Sequence, residues 1–216
     1  MNFYWVKTSA IVKKIFSNLT WYIPNSEKKV YLTFDDGPTP ELTDWILDVL
    51  KQNEIKATFF CVGENLVKYP DLAKKIIQDG HIIANHTYNH LNGWMFSNKK
   101  YFENIKSCDD ILNKDILGES DNQPKLFRPP YGKIKLSQAR ILRKMGYKII
   151  MWDVLSADFL QEITKEECLE NVTKNTTSGS IIVFHDNPKA LKNLEYALPQ
   201  SIQFLKENGY TFDVIR

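Results

Sequence analysis

The stretch VYLTFDDGPTP, residues 30–40, decides the fold. VYLTF (30–34) is a short β-rich run, and a helical pattern follows near 41–52. Two adjacent carboxylates, Asp35 and Asp36, stand at the junction. Asp-Gly-Pro is good turn chemistry, and an aspartate can cap the helix that follows. A cap accounts for one aspartate. Two carboxylates side by side after a hydrophobic strand repel each other and are costly to bury, and a nearby cation relieves that cost.

The same pattern recurs along the chain. ATFFCV (57–62), HIIAN (81–85), KLFR (125–128), YKIIMW (147–152), SIIVF (180–184) and YTFDVI (210–215) bring the strand candidates to seven. Helical patterns near 69–79, 97–115, 136–145, 164–175 and 189–207 lie between them, and 114–124 reads as a loop. Repeated βα units imply a parallel sheet, open or closed into a barrel. The C-terminal ends of such strands share one face, where sites form. Polar residues fall there in turn: Asp35 and Asp36, then His86 and His90, Arg128, Asp153, and His185 with Asp186. That convergence is a stronger signal than any single motif.

NHTYNH (85–90) holds two of the chain's four histidines. On a helix, residues four apart share a face with Cβ atoms about 6 Å apart. Two imidazoles so placed can grip one metal ion, although surface or capping histidines are the plainer explanation of HxxxH alone. A catalytic metal site wants a third protein ligand and an open position, and Asp35 and Asp36 are both candidates. In RPPYG (128–132) the prolines fix φ, which makes a rigid turn that can hold Arg128 against a carboxylate.

A chain of 216 residues is one domain or one domain with an extension. Net charge is +2 with no long Lys/Arg block, which argues against a nucleic-acid partner. Cys61, Cys108 and Cys168 are odd in number and form no CxxC, so idle thiols in a reducing compartment are expected. Residues 1–23 carry Lys7, Lys13 and Lys14 within an aromatic segment, which leaves no signal-peptide core and no span for a bilayer. Cytoplasmic location is the resulting expectation. Ile11, Ile15 and Leu19, with Val12 and Phe16 beside them, form a helical stripe. It predicts an amphipathic extension packed on the domain of residues 24–216, with membrane-surface contact through residues 1–23 as the alternative.

In this order, TFDDGP, NHTYNH, RPPYG, WDVLSADF and IIVFHD resemble the five motifs of the polysaccharide deacetylases, carbohydrate esterase family four. The resemblance implies an α/β fold, a distorted (β/α)7 barrel of TIM-barrel type. It implies metal-dependent removal of N-acetyl groups from N-acetylglucosamine-containing polysaccharide, peptidoglycan or chitin, so the partner is an N-acetylated glycan. By the same resemblance Asp35 is the catalytic base, Asp36, His86 and His90 the metal triad, and Arg128 the residue that orients the base. The Tyr131 N–H is an oxyanion donor, His185 the general acid and Asp153 the partner that tunes it. Pro130, Tyr131, Val183, Phe159 and Trp94 are expected to line the substrate site. Two imidazoles and a carboxylate suit Zn2+, and equally Co2+, Ni2+ or Fe2+. The family's fourth motif usually ends in tryptophan where Phe159 stands, and its fifth has leucine where Val183 stands. Both differences fall on the acyl pocket, which leaves open a same-fold amidase or deformylase acting on a small or lipid-linked substrate. A non-catalytic carbohydrate-binding relative is the remaining alternative. Met95, Phe96 and Tyr101 stand beside Trp94 as sugar-stacking candidates, with core packing as the plainer role.

Overall fold

A computed structural model describes residues 5–117 and 124–216. Its strands are β1 (Lys29–Asp35), β2 (Thr58–Cys61), β3 (Ile82–Asn85), β4 (Leu126–Phe127), β5 (Lys148–Ile149), β6 (Val154–Leu155), β7 (Ile181–His185) and β8 (Thr211–Phe212). Its α-helices are α1 (Ala10–Ile15), α2 (Leu42–Gln52), α3 (Gly63–Lys68), α4 (Pro70–Gln78), α5 (Asn98–Ile111), α6 (Leu136–Lys144), α7 (Lys165–Thr173) and α8 (Leu191–Glu207). The sheet runs β5-β4-β3-β2-β1-β7-β6, and every pairing in it is parallel. It curls into a distorted (β/α)7 barrel.

The expected seven units are present with one member exchanged. YTFDVI (210–215) supplies β8, which pairs with β1 off the barrel path. The seventh barrel strand is β6, which lies outside all seven strand candidates. The helical pattern near 97–115 divides into α5 and a π-helical turn, Leu112–Leu117, so the expected loop begins later, and its residues 118–123 lie outside the described ones.

Side chains on a strand alternate between faces, and the two faces of this sheet have different tasks. Leu32, Phe34, Phe59, Ile182 and Phe184 belong to the core shared with α2, α4, α7 and α8. Tyr31, Phe60, Ala84, Leu126 and Ile181 have the opposite parity and fill the barrel. Continued to the strand ends, that inward parity selects Asp35, His86, Arg128 and His185. The site is thus a by-product of the period of two.

The barrel's edge strands, β5 and β6, do not pair with each other, and the N-terminal segment occupies the seam. Thr20 N–H donates to the Ile149 carbonyl at 2.9 Å and its own carbonyl accepts from Met151 N–H at 2.7 Å. On the other edge Thr8 N–H donates to Asp153 O at 2.9 Å and Leu155 N–H donates to Val6 O at 2.8 Å. The predicted amphipathic stripe is corrected in detail. The helix α1 has only six residues, and Ile11 and Ile15 are exposed at 71% and 66%, while Val12, Phe16 and Leu19 pack inward. Residues 1–4 of that extension lie outside the described ones. Among the described residues no helix is long and apolar enough to cross a membrane. All three cysteines are buried and free.

Candidate active site

The turn after β1 places the two aspartates differently. Asp35 keeps the strand's inward parity, while Asp36 adopts φ 84°, a left-handed conformation costly for a non-glycine residue. The turn is held on several sides. Asp36 N–H donates to Phe60 O at 3.2 Å, and the Asn65 amide donates to Asp36 O at 2.8 Å. Asp186 accepts from Gly37 N–H and from the Thr43 hydroxyl, both at 2.8 Å. Burial pushes the Asp186 carboxyl up to about 7, with Asp36 nearby adding to the effect.

His86 and His90 meet Asp36 without a helix. Residues 86–90 form an irregular loop, in which Thr87 and His90 take φ 66° and 53°. The loop is fixed by side chains: Thr87 N–H donates to Asn85 Oδ1 at 2.7 Å, and Tyr88 N–H donates to Asn104 Oδ1 at 2.8 Å. His86 Nδ1 lies 2.8 Å from the Arg128 carbonyl. A carbonyl only accepts, so Nδ1 carries a proton and Nε2 is the ring nitrogen left to face Asp36. Nε2 of His86 and of His90 stand 3.5 and 3.1 Å from Asp36 Oδ1. The ligand atoms of Asp36, His86 and His90 lie within 4.8 Å of one another. Asp36 Oδ1 is buried and has no hydrogen-bond partner. Burial pushes Asp36 up, but the His86 and His90 rings facing it, with His185, hold its carboxyl well below the usual range. A buried carboxylate oxygen and the Nε2 atoms of two imidazoles, gathered this closely, form a donor set that fits a divalent cation with N/O ligands.

On one flank, Arg128 is fully buried and its Nη1 donates to Asp35 Oδ1 at 2.6 Å and to Thr33 Oγ1 at 2.8 Å. Nη2 donates to Met151 O at 3.1 Å, and the guanidinium lies over the Phe60 ring at 4.1 Å. Burial pulls the Arg128 pKa down despite the pull of Asp35 upward. On the other flank, His185 Nδ1 bonds Asp158 Oδ1 at 2.8 Å, and Asp158 Oδ2 accepts from the His185 N–H at 2.7 Å. Burial lowers the His185 pKa, but attraction and hydrogen bonding from Asp158 outweigh it and raise the value to about 9.

The partner of His185 is therefore Asp158 and not Asp153. Residue 153 precedes β6, whose register aligns Val154 with Ile182 and Leu155 with Val183. That sets Asp153 level with the start of β7, while His185 ends it. Asp153 instead accepts from Ser180 at 2.5 Å, from Lys7 at 2.6 Å and from Lys13. Asp158 was absent from the residues singled out in the sequence. Its position one residue before Phe159, at the end of the same motif, was the available signal.

A cleft of about 1070 Å³ opens over these groups, lined by Asp35, Asp36, Tyr131, Phe159, Val183 and His185 among others. A second depression of about 380 Å³ lies beyond, and Asp36, His90, Asn187 and Pro188 border both. Trp94 is 59% exposed on the cleft wall. Pro130 is buried in the turn, and Tyr131 and Gly132 are the residues of that turn that line the cleft. Tyr131 takes φ 61°, and its hydroxyl lies 3.1 Å from His90 Nδ1. Tyr101 is fully buried and belongs to the core, whereas Met95 is exposed.

Fold and site together define a barrel with the Asp35–Arg128 and Asp158–His185 pairs flanking the Asp36, His86 and His90 cluster. The chain belongs to the polysaccharide deacetylase family, whose model, described as "Polysaccharide deacetylase", matches residues 22–150. It is 38% identical to a peptidoglycan-N-acetylglucosamine deacetylase of Bacillus cereus over 190 residues, which is 88% of this chain and 67% of that one. The crystal structure of the Bc1960 peptidoglycan N-acetylglucosamine deacetylase, in complex with 4-naphthalen-1-yl-N-oxidanyl-benzamide, superimposes with a TM-score of 0.83 at 36% identity. The match covers 92% of this chain and 91% of that one. BA3943 of Bacillus anthracis, named a pseudoenzyme of the same family, is similar at 26% identity, with a TM-score of 0.79 over 90% of this chain and 66% of that one.

Proposed function

We propose that this chain hydrolyses N-acetyl groups from N-acetylglucosamine residues of peptidoglycan, with a divalent cation held by Asp36, His86 and His90. The observation that carries the reading is the convergence of three groups on one cleft: the Asp36–His86–His90 triad, the Asp35–Arg128 pair and the Asp158–His185 pair. When bound, the cation supplies Lewis acidity, polarising the amide carbonyl and lowering the pKa of water.

The chain's own groups perform the remaining steps. Asp35 takes the proton from the attacking water, and Arg128, bonded to its Oδ1, fixes its orientation. The Tyr131 N–H donates to the oxygen that gains charge. Asp158 accepts from Nδ1 of His185, so Nε2 of the imidazolium donates to the departing sugar amine. Phe159 and Val183 bound the acetyl methyl, and Trp94 offers an exposed face for a sugar ring. Depressions on both sides of Asp36 and His90 favour an extended chain over a small amide.

The test is acetate release from peptidoglycan, N-acetylglucosamine oligomers and acetylated xylan, compared side by side. Chelation is expected to abolish release and zinc or cobalt to restore it, with peptidoglycan the best substrate. Asp35→Asn is expected to retain the cation and lose about 10²–10⁴-fold in rate. Undiminished turnover by metal-free protein rejects this function, and a preference for xylan rejects the substrate.

A further inference from the structure

The two oxygens of Asp36 are in different chemical situations. Oδ1 faces the imidazoles of His86 and His90 and has no hydrogen-bond donor. Oδ2 accepts a 2.5 Å hydrogen bond from the side-chain amide of Asn187. That amide has a fixed sense. Its oxygen already accepts from Lys189 N–H at 3.0 Å, in the turn that leads to α8, where Ala190 N–H also donates to the Asn187 carbonyl at 2.9 Å. Rotating the amide by half a turn sets oxygen against carboxylate and NH2 against N–H, losing both bonds.

We propose that Asn187 is a positioning residue that selects Oδ1 of Asp36 as the single cation-binding oxygen. The inference rests on the metal reading above and extends it to the orientation of the ligand. With Oδ2 tied to an N–H donor, the carboxylate cannot swing to present both oxygens, and one coordination position stays open for water or substrate. Without the amide, Asp36 depends on a backbone at φ 84° and is free to rotate about its side-chain torsions. Loss of such an outer contact typically weakens metal binding by about 10–100-fold.

The test uses the full chain stripped of metal and titrated with zinc against a chromophoric chelator, with wild type, Asn187→Ala and His86→Ala run together. Asn187→Ala is expected to weaken zinc binding about 10–100-fold, and His86→Ala to weaken it further. The cobalt-loaded forms supply a readout that a general packing defect does not move, because the visible absorption bands follow the number and geometry of ligands. Asn187→Ala is expected to shift and weaken those bands as the carboxylate becomes bidentate. Zinc affinity within twofold of wild type, or a superimposable cobalt spectrum, overturns the role of Asn187. Loss of affinity in His86→Ala alone leaves the metal site standing and removes this inference. Unchanged affinity in both variants removes the metal reading itself.

Discussion

His185 owes its high pKa chiefly to Asp158, with Asp36 and Asp35 adding to it. Burial disfavours the imidazolium, and Asp158, bonded to Nδ1 and to the backbone N–H, more than reverses that. The folded value of about 9 exceeds the ordinary 6.5. The pair therefore contributes stability that is complete below 6.5 and is lost as pH rises through about 9. An acid must be protonated to act, so kcat is expected to fall along the same alkaline limb. A cation beside Asp36 offsets part of the attraction on His185 and draws that limb below 9. Asp158→Asn is expected to move the limb toward 6.5, whereas Asp153→Asn leaves it in place; pH–rate profiles of the two variants check this. At this scale the sequence was readable for residue types and misleading for one pairing. Asp153 and Asp158 both follow apolar runs, and strand register, which no motif records, decides which of them reaches the top of the barrel.

Arg128 joins three strands as well as serving the site. It contacts Thr33 and Asp35 of β1 from the end of β4, and its Nη2 and Nε donate to the carbonyls of Met151 and Ile150 just after β5. Removing one member of a buried ion pair strands the other charge without water. Arg128→Met is expected to destabilise the chain by about 3–5 kcal/mol, measured by urea unfolding of the metal-free protein. Asp35→Asn in the same chain is expected to recover part of that loss. Elements were legible where long periodic segments speak for themselves, as in α2, α4 and α8. They were not legible where side chains override local preference. HxxxH has helical spacing, yet Asn85 and Asn104 bind the loop's N–H groups and hold Thr87 and His90 at positive φ. The two-residue strand β6 is too short for any periodicity to register.

In the whole molecule, the N-terminal segment is part of the barrel and of the cleft. Lys7 and Lys13 neutralise Asp153, which is 1% exposed, and Trp5, Val12, Phe16 and Trp21 line the cleft. Replacing Lys7 and Lys13 together with methionine is expected to cost about 3 kcal/mol, because the carboxylate is left buried and unpaired. Adding Asp153→Asn is expected to restore most of that, and thermal unfolding of the three variants reads both effects. Where this segment pairs was not legible in the sequence, since a pairing between residues about 130 or more positions apart leaves no local pattern.

That distance has a consequence for biosynthesis. Residues 6–23 meet strand partners only at positions 149–180, and β1 meets β7 and β8 only beyond 180. On the ribosome residues 6–23 emerge well before these partners and must wait for them, unpaired and rich in aromatic side chains. Nascent chains halted short of about residue 180 thus leave those aromatic groups open to chaperones or to aggregation.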